Sequence, residues 1–130
     1  MGAWGIAAFD NDDASDWVYD LEKRGLAAID SALADAEGAT DLQGPTDVTA
    51  IAAGEVVAAA RGRPVEGLRE DVQQLAIFVG PDVTPDHAVR AQAVAERVLA
   101  GSELADLWEE SGEGPEWRRS IDDLVRRLSS

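Results

Sequence analysis

Apolar residues recur along this chain at helical spacing, one stripe after another. In DDASDWVYDLEKR, Ala14, Trp17, Val18 and Leu21 stand at i, i+3, i+4 and i+7, and Asp13, Asp16, Asp20 and Lys23 hold the other face. Gly25 breaks or bends this helix. LAAIDSALADAE repeats the pattern with Leu26, Ile29, Leu33 and Ala36, and Gly38 suits its end. Residues 38–45 read as a loop. TDVTAIAAGEVVAAARG then predicts a helix capped by Thr46 or Asp47 and stopped at Gly62, with Pro64 confirming the stop. Alanine and valine surround this helix on every side, which marks it as central and buried. Its small residues, Gly54 among them, let neighbouring helices approach closely.

Residues 66–79 place Leu68, Val72, Leu75 and Val79 on one face of a fourth helix, although QLAIFV alone could form a short strand. Thr84-Pro85-Asp86 supplies an N-cap, a first-turn proline and a first-turn acid for a helix running to Gly101. Ser102 caps a short helix carrying Leu104, Leu107 and Trp108. After a turn at 111–115, the last helix starts at Pro115 and shows the cleanest stripe: Trp117, Ile121, Leu124, Val125 and Leu128. The chain of 130 residues has the size of one domain and no internal repeat. The expectation is a single all-α domain over 1–130, about six helices around one core. An irregular glycine- and tryptophan-containing segment, MGAWGIAAFDND, is expected to pack on the bundle.

Composition narrows the chemistry. There is no cysteine, so thiolate nucleophiles, disulfides and thiolate metal sites are excluded. The single histidine, His87, excludes a site built on several imidazoles. It falls in the first turn of a helix, where exposure or a local hydrogen bond is expected. Against 26 acids stand 11 bases, a formal net charge of −15. Such a surface repels nucleic-acid phosphates and anionic membranes, so neither partner is expected. The acidity serves solubility, or it meets a basic partner protein. No run is apolar enough to span a membrane, and acids end the opening apolar stretch too soon for a signal peptide. A cytoplasmic location is expected, and the oligomeric state stays open.

The run FDNDDASD invites a calcium reading. Counted from Asp10, however, an EF-hand loop would need a ligand at Ala14, glycine at Ser15 and glutamate at Leu21. No metal, cofactor or catalytic grouping is therefore assigned. Asp10 or Asn11 instead suits the cap of the first helix, with Asp12 and Asp13 at its positive end. Phe9 would then act as a hydrophobic staple. Trp4 and Trp17 have faces that could stack a ligand, but core packing accounts for them, as for Trp108 and Trp117. Glu55, in the middle of the apolar helix, is the best candidate for a buried carboxylate. It is expected to find an arginine or backbone N–H groups. Candidate binding residues are Trp4, Asp10, Asn11, Asp12 and Glu55.

MGAWG, followed by FDND and then DW, resembles the opening of a bacterial domain-of-unknown-function family. AAGEVVAAARGRP at 52–64 and LWEESGEGPEW at 107–117, followed by a helix ending in LVRRL, are similar to the same family. Where members carry a glycine before the phenylalanine, this chain has Ile6-Ala7-Ala8. The resemblance implies a small, mostly helical cytoplasmic protein and carries over no reaction. Three classes of function follow. The first is an acidic, non-enzymatic interaction protein, an adaptor or inhibitor of a basic partner. The second is an enzyme using Glu55 and an aspartate of the FDND block as acid and base. The third is a structural or accessory domain. A stoichiometric basic partner would favour the first, and a deep pocket lined by Glu55 with a raised pKa would favour the second.

Overall fold

The computed structural model describes residues 7–129. Trp4 and the rest of MGAWGI, expected to pack on the bundle, lie outside the described residues. Among those described there are seven α-helices and no strand: α1 Asp12–Arg24, α2 Leu26–Gly38, α3 Thr46–Ala60, α4 Glu70–Val79, α5 Pro85–Ala100, α6 Glu103–Ser111 and α7 Gly114–Leu128. A 3-10 turn, Gly80–Asp82, follows α4. The count is seven rather than about six. Gly25 separates α1 from α2, taking φ 58° and ψ −131° while its N–H closes α1 on the Leu21 carbonyl at 2.8 Å.

α3 is the axis of the fold and packs against all six other helices. Its middle is buried on every side, as the alanine-rich pattern requires. At Gly54 a Cβ would stand 3.3 Å from Leu124 of α7 and 3.9 Å from Ala91 of α5. The missing side chain lets those two helices close on α3. Arg97 of α5 donates to the carbonyls of Ala36 and Ala39, at 2.6 and 2.9 Å, and so satisfies the C-terminal end of α2.

Several expectations change. α4 begins at Glu70, not 66, because Gly67 at φ 80° turns the chain first. Leu68 still reaches the core from that turn. QLAIFV is helical. Neither Thr46 nor Asp47 caps α3: Pro45 precedes it, and Asp47 is buried inside the first turn. Of the two expectations for His87 the local hydrogen bond holds and exposure does not: the side chain is buried. Its Nδ1 accepts the Thr84 N–H at 3.0 Å, and Nε2 meets Asp30 at 2.9 Å. α6 buries none of its stripe: Leu104 and Trp108 are half-buried and Leu107 is 47% exposed. Trp117, by contrast, is core as expected.

At the start of α1 the cap is Asn11, whose side chain accepts the Ala14 N–H at 2.8 Å. Phe9 is therefore two residues before the cap and buries itself in the core without being a staple. Asn11→Ala is expected to cost about 1 kcal/mol in urea unfolding, and Asp10→Ala much less.

Candidate functional site

A hollow lies between α3, α6 and α7. It has a volume of about 650 Å³ and is mostly apolar. Val48 and Ile51 of α3 and Trp117 and Ile121 of α7 contribute to its lining. So do Leu104, Leu107 and Trp108 of α6, and Phe9 and Leu68 from the segments preceding α1 and α4. That volume falls within the range of about 300–1,000 Å³ typical of ligand pockets.

Polar tethers position α6 there. Asp47, 1% exposed, accepts the Val48 N–H at 2.7 Å and reaches across to the Leu104 N–H at 2.9 Å. Glu103 accepts the Gly44 N–H at 3.1 Å and gives its own N–H to the Leu42 carbonyl at 2.8 Å. Ser102 caps α6 by accepting the Ala105 N–H at 3.0 Å, and its hydroxyl donates to the Val98 carbonyl. The first turn of α6 is thus fixed to the loop before α3 and to the end of α5. Its apolar stripe lines the cleft, with Leu104 and Trp108 also packed against the core and Leu107 exposed.

Asp10, Asn11, Asp12 and Glu55 all line this cleft, so the structure brings together four of the five residues singled out from sequence. Asn11 serves its cap. Asp10 and Asp12 stand at the rim, and neither side chain makes an ion pair or hydrogen bond among the described residues. Sequence reasoning missed the cleft's apolar lining and the role of Asp47, whose partner lies 57 residues away.

Glu55 finds an arginine. Arg127 grips its carboxylate with two N–H groups, at 2.9 and 3.1 Å, and donates Nε–H to Asp123 at 2.8 Å. Burial pushes the Glu55 carboxyl above its ordinary value, outweighing Arg127, while Asp123 adds repulsion. The same carboxylates hold the Arg127 guanidinium charged against its own burial. Burial likewise raises Asp47, opposed by the N–H groups of Leu104 and Val48. Away from the cleft, hydrogen bonding to Arg90 lowers Glu37. Among the described residues no three His, Cys, Asp or Glu side chains are arranged to hold a metal ion.

The direction at Glu55 has a measurable consequence. A folded pKa above 4.5 means that the folded protein holds this proton more tightly than the unfolded chain does. The associated stability is fully present below pH 4.5 and is lost as pH rises through the folded value. Glu55→Gln cannot ionise and lacks that loss. The stability difference, wild type minus variant, is therefore expected to fall as pH rises from 4.5 and then level off. Thermal melts of both proteins across pH check this; a difference that grows with pH would show Arg127 outweighing burial.

The model of one protein family, described as Domain of unknown function (DUF4259), matches residues 2–120, and the chain belongs to that family. The resemblance to an uncharacterised domain family holds on this match. No curated protein and no solved structure matches the chain. Among the described residues no helix is long and apolar enough to cross a membrane.

Proposed function

We propose that this DUF4259 domain is a small, non-enzymatic interaction protein of the bacterial cytoplasm, an adaptor or inhibitor of a basic partner protein, with the α3–α6–α7 cleft as its docking face. The observation that carries the reading is an apolar hollow of about 650 Å³, lined from α6 by the half-buried Leu104 and Trp108 and the exposed Leu107. Apolar surface rimmed by polar groups marks interaction sites. The net charge of −15 adds attraction for a basic partner and repulsion for nucleic acid.

The test is affinity capture from the native cytoplasm with wild type and Leu107→Ser in parallel. The captured protein is then purified and titrated against both by calorimetry. One-to-one binding is expected for wild type, with affinity about tenfold or more lower for the variant. A partner that binds both equally would put the interface elsewhere. Capture of nothing would favour a structural or accessory domain.

A second reading, an enzyme working through carboxylates, also has an observation behind it. Glu55 lines the cleft, and its carboxyl is raised by burial. Against it, Arg127 occupies both oxygens of Glu55, and a general acid or base must reach its substrate within hydrogen-bond distance. Glu55→Gln separates the two readings: partner binding survives it, whereas turnover through Glu55 would not.

A further inference from the structure

We infer that the occupant of the cleft is a short basic protein segment carrying bulky apolar side chains, with the apolar groups in the hollow and lysine or arginine on its rim. This rests on the reading of the cleft as a docking face and names what docks there.

Three features of the cleft select this chemistry. The hollow is apolar and its volume admits a few side chains, not a folded domain. Apolar anchors are therefore the part of a partner that gains most by entering it. The rim is acidic. Asp10, Asp12, Asp13 and Glu66 line the opening with no ion pair among the described residues. A cationic segment would meet these carboxylates without first breaking existing pairs. The positive charge at the rim is smaller. Arg69 is already committed to Asp71 at 2.7 Å and to Ser15 at 3.2 Å, which leaves Arg119. An anionic ligand would face repulsion from the rim and from the chain as a whole. A neutral apolar ligand would use the hollow and leave the rim charges idle.

The competing occupant is the chain itself. Ala7 lines the cleft, and residues 1–6, which include Trp4 and Ile6, precede it in the chain. A tethered segment competes at high effective concentration. It carries no lysine or arginine, however, to answer the rim carboxylates.

The test uses three synthetic peptides: one basic with tryptophan and leucine anchors, one with every basic residue replaced by glutamine, and one with every anchor replaced by alanine. Each is titrated into the full chain by calorimetry at about 0.15 M salt, which suppresses diffuse attraction. One-to-one binding of the first peptide is expected. Binding should be about tenfold weaker for each of the other two, and similarly weaker for Leu107→Ser and for the pair Asp10→Asn, Glu66→Gln. Equal binding of the glutamine peptide would overturn the charge selection while leaving the docking face in place. Equal binding of the basic peptide by wild type and Leu107→Ser would show attraction by the acidic surface alone, and would overturn the inference. Binding that appears only in Trp4→Ala would make the chain's own opening segment the occupant, and would overturn it too. A natural partner that is lost with Leu107→Ser but docks through an uncharged segment would leave the interaction reading standing and remove this one.

Discussion

Arg127→Met is expected to destabilise the protein by about 3–5 kcal/mol at neutral pH, measured by urea unfolding. The methionine keeps most of the stem that packs along α7, so the change is chiefly one of charge and hydrogen bonding. Glu55 is 5% exposed, and its two carboxylate oxygens take their only hydrogen bonds among the described residues from Arg127. Without the guanidinium a buried carboxylate is left unpaired, or it must take up a proton. Asp123 also loses a partner, but it faces water and little follows from that. Because burial already lifts the Glu55 carboxyl, the cost should fall as pH is lowered toward 4.5, where neutral Glu55 no longer needs the arginine.

The double variant Arg127→Met, Glu55→Leu is the control that gives the first its meaning. Removing both charges should recover the stability to within about 1 kcal/mol of wild type, since replacing a buried pair by apolar groups is often neutral or stabilising. Recovery would mean that the pair is retained for something other than net stability, and Glu55 lies against the cleft. A double variant as unstable as the single would mean that packing around residue 127, not the orphaned charge, carries the loss.

Helix stripes made most of the fold legible in advance. α1 buries every residue its periodicity names, and α2 and α7 bury all but the half-buried Leu26 and Val125, because an amphipathic helix of three or four turns has one way to hide its apolar face. The central place of α3 was legible for the complementary reason: it has no polar face to turn outward. α6 shows where this logic ends. Leu104, Leu107 and Trp108 carry the same spacing as a core stripe, and spacing is identical for a stripe that meets a neighbour and one that lines a cleft. What separates the two is the set of tethers from Asp47, Glu103 and Ser102, and two of those join residues more than 50 positions apart. Asp47 was misread for a related reason. An aspartate at a helix start suits a local cap, and nothing local reveals that its carboxylate reaches another helix. Glu55 was legible as a buried acid in need of a partner, whereas the choice of Arg127 among ten arginines required the fold.

Phe9→Ala, compared with Leu107→Ser, is expected to separate architecture from recognition along one cleft. Both side chains line it, yet Phe9 is 4% exposed and belongs to the continuous core, while Leu107 is 47% exposed. Removing the Phe9 ring takes out buried apolar area and leaves a cavity that the surrounding helices fill only in part. The expected loss is about 3–5 kcal/mol in denaturant unfolding. Leu107 already meets water over nearly half its surface, and its truncation should cost no more than about 0.5 kcal/mol, within the range of ordinary surface changes. Partner binding should respond in the opposite order at temperatures where both variants are folded: weakened tenfold or more by Leu107→Ser, and much less by Phe9→Ala. A large stability loss for Leu107→Ser would mean that α6 is held by its stripe rather than by its polar tethers, and the cleft would then be a packing fault of the bundle. A silent Phe9→Ala would mean that the turn before α1 is not part of the core, and that the aromatic and acidic residues opening this chain are there for a ligand.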